Sequence, residues 1–435
     1  MTVPRAEDSV AGTPAATALA VVDMARQGQF GAITERFAPP LRPMAPPEVL
    51  RAAWESEIAK NGPVTSVGTP VTEATEHGTV TVKVPVEFAR GPLTVVVELA
   101  GEQQWITGIQ ILPASAAEPT APWEPPAYAD PDAFTESGVT LGDGPLAVPG
   151  TLSVPGPGGP VPAVVLLSGS GPHDQDETIG RNKPLKDLAW GLASAGVAVL
   201  RFEKVTHAHP RLVAADPAFT LTDEYVPHAS AAIRLLRAHP AVDQARIFVA
   251  GHSLGGTVAP RVAAGTPAAG LVILAGGAQP LHQAAVRQLR YLASLGGAAA
   301  AGATAALEVI ARQAEAVDDP GLSESTANSD LPFGVPAAYW LDLRGYDPAA
   351  AAAALGKPML IVQGGRDYQV TVADDLSRWQ AALAARPDVT IRVYAADNHL
   401  FFPGSGPSAP AEYEPAQHMD PAVVADVADW VTATR

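Results

Sequence analysis

Apolar residues recur along this chain with two different periods. Ala18, Val21, Val22 and Ala25 follow a helical spacing, widened by Leu19 and Met24, and Phe30, Ile33 and Phe37 suit a second helix after a turn. Three alternating stretches follow, Thr79 to Phe88, Leu93 to Leu99 and Trp105 to Leu112, and Arg90-Gly91-Pro92 reads as a hairpin turn between the first two. Helices followed by an antiparallel meander predict a small α+β domain over 16–113, after a disordered N-terminal stretch over 1–15. The segment 114–132 is rich in proline and has no period, so it is expected to be a semi-rigid linker.

Beyond it, strand and helix signals alternate, which predicts an α/β domain over 133–435 with a largely parallel sheet. Strands are expected at Val161 to Leu167, Val197 to Phe202, Arg246 to Ala250, Leu271 to Leu274, Met359 to Gln363 and Thr390 to Tyr394. Helices are expected at Leu185 to Ala195, Tyr225 to Ala238, Thr257 to Ala264 and Val423 to Thr432. The Ala-rich stretch over 277–356 breaks this rhythm and is too long for an ordinary connection, so it reads as an inserted helical cap.

Composition narrows the function classes. The 435 residues carry 45 acidic against 28 basic side chains, a net charge of −17, which argues against nucleic acid or an anionic membrane as partner and disfavours polyanionic substrates. A hydrophobic fraction of 47% supplies a sizeable core. The absence of cysteine removes disulfides, thiolate metal sites and cysteine nucleophiles together. Residues 1–17 lack a basic segment followed by an apolar one, and the uncharged runs 262–286 and 291–307 are interrupted by Pro, His or Gly. The expectation is a soluble, cytoplasmic protein.

The chemistry centres on Gly251-His252-Ser253-Leu254-Gly255-Gly256. The apolar strand before it and the helix after it force a sharp turn in which small residues flank the serine and its hydroxyl stands clear of the sheet. A serine hydroxyl needs a base and an orienting carboxylate. Asp367 follows one predicted strand and His399 the next, so Ser253, Asp367 and His399 each sit just past a strand end, where open α/β sheets build their sites. Asp397 is a rival acid, but two residues from His399 it is better placed to cap the turn.

These residues resemble the α/β-hydrolase superfamily, and within it bacterial esterases similar to dienelactone hydrolases and serine aminopeptidases. The likeness runs from about Phe134 to the C-terminus. It includes Leu167-Ser168-Gly169-Ser170-Gly171-Pro172-His173-Asp174-Gln175-Asp176, Asn182-Lys183-Pro184 and Asn398-His399-Leu400-Phe401. Together with the small N-terminal module, which resembles cystatin-like or nuclear-transport-factor-like domains, it looks like a two-domain esterase. Arg201-Phe202-Glu203-Lys204-Val205 departs from the Tyr-Asp-Lys-Arg run of that family, which puts in doubt any charge network carried over for that loop. The resemblance implies an α/β-hydrolase fold and a serine carboxylesterase with no cofactor or metal, and the cap with its apolar residues and the net charge of −17 suggest neutral short-to-medium acyl esters. An oxyanion hole is expected from the Leu254 N–H and a donor after Val161 to Leu167, by position the Ser170 N–H, with Gly169 and Gly171 as rivals. A serine peptidase, a thioesterase and a non-catalytic binding protein on the same scaffold are the alternatives.

Several other features have plainer explanations. Asp174, Asp176 and Glu177 beside His173 could suggest a divalent metal, but a Gly/Pro-rich loop uses such side chains to satisfy its own N–H groups. Arg181, Lys183 and Arg201 could pair with that loop. His207 and His209 read as surface histidines, and Trp54 and Trp105 as core. Phe333, Tyr339, Trp340 and Leu343 could line an acyl pocket or form the cap's own core.

Overall fold

The computed structural model describes residues 12–74, 79–101, 103–113, 123–156 and 158–434, and the chain divides into two compact units, Met1–Ala121 and Pro122–Arg435.

In the first unit, helices α1 (Pro14–Arg26), α2 (Phe30–Arg36) and α3 (Pro47–Asn61) precede strands β1 (Val64–Val67), β2 (Val71–Ala74), β3 (Thr79–Phe88), β4 (Gly91–Ala100) and β5 (Trp105–Pro113). The sheet is antiparallel in the order β1-β3-β4-β5, with β2 also paired to β3. Val82, Val84, Val86, Val95, Val97 and Leu99 share one face and pack with Val21, Val22 and Trp54. Three expectations change. The Thr13 side chain caps α1, accepting from Ala16 N at 3.2 Å, so Pro14 and Ala15 are helical rather than disordered, while 1–11 lie outside the described residues. Phe88 pairs with Gly91 and Glu87 with Pro92, so the hairpin turns at Ala89-Arg90 and not at Arg90-Gly91-Pro92. Trp105 is half-buried with Arg42 over its ring at 5.4 Å, so of the two tryptophans only Trp54 is a core residue.

The second unit is built on strands β6 (Phe134–Leu141), β7 (Val148–Pro155), β8 (Val161–Leu167), β9 (Ala198–Phe202), β10 (Val242–His252), β11 (Gly270–Leu274), β12 (Met359–Gly364) and β13 (Val389–Tyr394). The sheet runs β13-β12-β11-β10-β8-β9-β7-β6; neighbours from β13 to β9 are parallel, and β7 and β6 add antiparallel. Helices cover both faces. On one, α7 (Leu221–Ala238) and α8 (Leu254–Ala264) pack on Val165, Leu167, Val249 and Ile273; on the other, α4 (Pro184–Ser194) and α14 (Pro421–Ala433) pack on Val164, Leu166, Phe248 and Val272. Successive side chains of each central strand therefore enter opposite cores, which is why these strands read as unbroken apolar runs. The short helices α5 (Val205–Ala208) and α6 (Pro210–Ala214) lead into α7, and α13 (Ser377–Leu383) precedes β13.

Trp123 meets Trp190 edge-on at 5.0 Å and donates to Asp187 at 3.0 Å, so 123–132, the end of the predicted linker, is docked on α4; 114–122 lie outside the described residues. Between β11 and β12 lie α9 (Leu281–Ser294), α10 (Gly297–Asp318), α11 (Ala337–Arg344) and α12 (Pro348–Leu355). This insertion has its own core of Val317, Leu322, Leu331, Ala337 and Trp340, with Leu343 against it. Tyr339 joins the main core, and Phe333 is 47% exposed. Arg261 of α8 ties the insertion down through Asp342 at 2.7 Å. Among the described residues no helix is long and apolar enough to cross a membrane.

Candidate active site

Strand β10 runs between β8 and β11 and turns directly into α8 at Ser253. The turn is tight enough to require the glycines: a Cβ on Gly251 would strike the Gly255 carbonyl oxygen, and one on Gly255 would strike that of Leu167. Ser253 takes φ 53, ψ −119, a left-handed backbone that costs a non-glycine residue on the order of 1–3 kcal/mol. The turn holds it there through Ser253 N donating to the Leu274 carbonyl at 2.9 Å and Thr257 N donating to the Ser253 carbonyl at 3.0 Å. Ser253 is half-buried among fully buried neighbours. Leu254 opens α8, so its N–H has no acceptor within the helix and stands at the positive end of the helix dipole.

The loops after β12 and β13 bring Asp367 and His399 together. His399 Nδ1 lies 2.7 Å from Asp367 Oδ2, and both side chains are buried. Asp367 is held by three further donors: the N–H groups of Gln369 at 2.7 Å and Val370 at 2.9 Å on Oδ1, and Gln363 Nε2 at 3.1 Å on Oδ2. With Asp367 on Nδ1, Nε2 is the ring nitrogen left for a hydroxyl. Asp397, the rival acid, makes no hydrogen bond to His399, and its carboxyl faces that of Asp420. Burial and the nearby Asp420 push its carboxyl up to about 7. It does not cap the turn either; that is done by Asn398, whose Oδ1 accepts from Leu400 N and Phe402 N, each at 3.1 Å.

The loop after β8 passes close to Ser253: a Cβ on Gly169 would lie 3.1 Å from Ser253 Cβ. Gly169 N donates to Glu177 Oε1 at 2.8 Å, which removes it as an oxyanion donor. The Gly169 carbonyl accepts from Lys204 Nζ and from Tyr225 Oη, each at 2.8 Å. Because a trans peptide points its C=O and the next N–H in opposite directions, these two donors set the direction of the Ser170 N–H. That N–H has no protein partner among the described residues. Tyr225→Phe removes one donor and leaves Lys204 in place. A single net hydrogen bond is worth about 1 kcal/mol, so the thermal unfolding midpoint is expected to fall by about 2 °C, read by circular dichroism.

The acidic trio disperses rather than converging on a metal. Asp174 accepts from Asp176 N at 3.2 Å and Thr178 N at 2.9 Å; Asp176 pairs with Arg201 at 2.8 Å and Lys183 at 2.9 Å. Glu177 goes to Gly169 and His252. The Arg201–Lys204 stretch thus carries a charge network of its own: Arg201 reaches Glu136 at 2.7 Å as well as Asp176, and Lys204 pairs with Glu224 at 2.9 Å. His207 and His209 are half-buried donors to the carbonyls of Pro172 at 3.1 Å and Ala147 at 2.7 Å. Sequence reading missed Glu177, His252, Lys204, Tyr225 and Glu224 as parts of the site. A histidine inside the serine turn was the available signal, since a buried ring needs polar partners for its nitrogens.

A family model described as the alpha/beta hydrolase family matches residues 164–427. Esterase EstD of Thermotoga maritima is 40% identical over 274 residues, 63% of this chain and 62% of that protein, so the match spans less than two thirds of the relative's length. Among solved structures, the Pyrococcus furiosus esterase Pf2001 aligns with 65% of this chain and 91% of its own at 16% identity and a TM-score of 0.42. Est1E from Butyrivibrio proteoclasticus aligns with 68% of this chain and 96% of its own at 16% identity and a TM-score of 0.43. Since the family match runs from within β8 to within α14, across the Ser253 turn and the loops bearing Asp367 and His399, the chain belongs to the alpha/beta hydrolase family.

Proposed function

We propose that this protein is a serine carboxylesterase working through an acyl-enzyme. The observation that carries the reading is the strained turn at Ser253 together with the buried His399–Asp367 pair at 2.7 Å, the His399 ring lying 4.7 Å from that of His252, the residue before Ser253. His399 Nε2 takes the Ser253 proton as the oxygen attacks the ester carbonyl, and Asp367 fixes the tautomer and stabilises the imidazolium. The N–H groups of Leu254 and Ser170 receive the oxyanion. His399 then protonates the leaving alcohol, and a water activated by the same base releases the acid. No step needs a cofactor.

The likeness to Esterase EstD supports an ester as substrate. A neutral acyl group fits the charge pattern. Lys183, Arg201 and Lys204, on the segments flanking Ser253, are each paired with a carboxylate, and the chain carries a net charge of −17. Both features disfavour a coenzyme A thioester. Glu177 and Asp367 are each engaged by a histidine, which disfavours the free-amine grip of a peptidase. A fluorophosphonate probe is expected to add once, at the peptide containing Ser253, with parallel loss of nitrophenyl butyrate hydrolysis. Labelling at another serine, or turnover in the fully labelled protein, overturns the reading.

A further inference from the structure

His252 is buried beside Ser253 with an acceptor at each ring nitrogen. Nδ1 lies 2.9 Å from Glu177 Oε1, and Nε2 lies 3.0 Å from the carbonyl oxygen of His399. A main-chain carbonyl can only accept, and Glu177 Oε1 already accepts the Gly169 N–H at 2.8 Å. Two ring nitrogens that must both donate make an imidazolium. We propose that the Glu177–His252 ion pair is a positioning device that ties the loop bearing the Ser170 N–H to the main chain of His399, with His252 held as the imidazolium. This rests on the esterase reading above for its consequence in catalysis, but not for its charge state.

The links are continuous: Gly169 N–H to Glu177, Glu177 to His252, and His252 to the His399 carbonyl. They join the loop after β8 to the loop after β13 beneath the serine turn, which is where a small displacement costs rate most steeply. The arrangement is a poor way to gain stability alone. Buried ion pairs are often no better than apolar residues of the same volume. Glu177 also takes a left-handed φ of 53, and its Oε2 has no hydrogen-bond partner among the described residues.

The groups facing His252 are Glu177, the His399 ring at a centroid distance of 4.7 Å, and Asp367; His173 Nε2 lies 4.0 Å from Glu177 Oε1, and Lys204 also acts on Glu177. Burial drives His252 toward its neutral form, but the charge and hydrogen bond of Glu177, the His399 carbonyl and Asp367 outweigh it and raise its pKa. Burial likewise pushes the Glu177 carboxyl up, and His252, His173 and the Gly169 N–H bring it down to about 2. A histidine raised in the folded state contributes fully below its unfolded pKa, about 6.5, and its contribution is lost as the pH rises through the folded value. The tie is therefore fully held below about pH 6.5 and weakens as the pH rises through the raised folded value.

The test is Glu177→Gln in the full chain. Gln can still accept from Gly169 and His252 Nδ1 but supplies no charge, so His252 turns neutral and sets a lone pair against the His399 carbonyl. In the wild type at about pH 7.5, ¹⁵N-histidine spectra are expected to show protons on both ring nitrogens of His252, assigned by their loss in His252→Gln. Glu177→Gln is expected to show one. Its kcat on nitrophenyl butyrate is expected to fall about 10- to 100-fold with KM within about twofold, and the variant-to-wild-type kcat ratio to rise as the pH drops from about 7.5 to about 6. His252→Gln, checked for fold by circular dichroism, is expected to lose kcat similarly without that pH-dependent recovery. A singly protonated His252 in the wild type, or a Glu177→Gln kcat within about threefold of wild type in a folded protein, overturns the proposal. Failure of the esterase reading is distinct: the wild type would then not turn over the ester, while the spectra would still report the charge of His252.

Discussion

Ser253→Ala is expected to lose on the order of 10⁶ in kcat on a nitrophenyl ester, with fluorophosphonate labelling abolished and the thermal unfolding midpoint held within a few degrees. The size follows from what the substitution removes. Alanine keeps the Cβ, so the left-handed turn at φ 53 bears the same backbone strain and the N–H and C=O bonds to Leu274 and Thr257 are untouched. Only the hydroxyl goes, and with it the covalent step. Residual turnover above the water reaction measures what the Leu254 and Ser170 N–H groups and substrate binding supply without a nucleophile. A variant retaining a tenth of wild-type activity would move the nucleophile away from Ser253.

How much of this was legible in the sequence depends on how local the determinant is. Val161 to Leu167 was readable as a strand because both of its faces enter a core. The strands Phe134–Leu141 and Val148–Pro155 were not: the first buries only its two ends, and the second contains Pro149 and Gly150. The helix Pro47–Asn61 escaped because Trp54 is its one fully buried residue among those described. The placement of Ser253, Asp367 and His399 just past strand ends was readable, because it follows from chain order. The Glu177–His252 and Lys204–Gly169 bonds were not, since they join residues 75 and 35 positions apart. Charge counts and spacing carry no information about which distant acid finds which base. The Asp397–Asn398 exchange at the turn shows the same limit at short range: both can cap, and only the backbone path decides.

Asp367→Asn is the sharper test of the orienting role, and its expected cost is about 10⁴ in kcat. Asp367 receives four donors, two on each oxygen: Gln369 N and Val370 N on Oδ1, His399 Nδ1 and Gln363 Nε2 on Oδ2. An asparagine must place its NH₂ on one of these two sides. Turned toward Oδ1, it sets a donor against two main-chain N–H groups that have no other acceptor in the loop. Turned toward Oδ2, it faces Gln363 and His399, and His399 is driven to the tautomer with its proton on Nε2, where it can no longer accept from Ser253. The loop pair cannot move away, whereas an imidazole can change tautomer, so the second orientation is expected. KM should change little, because Asp367 is buried and acts only through His399, while kcat should recover in part at high pH as hydroxide replaces the missing base. A kcat loss of less than about tenfold, or an equal loss on replacing Asp397, would remove Asp367 from the proton pathway and leave its four hydrogen bonds as loop architecture.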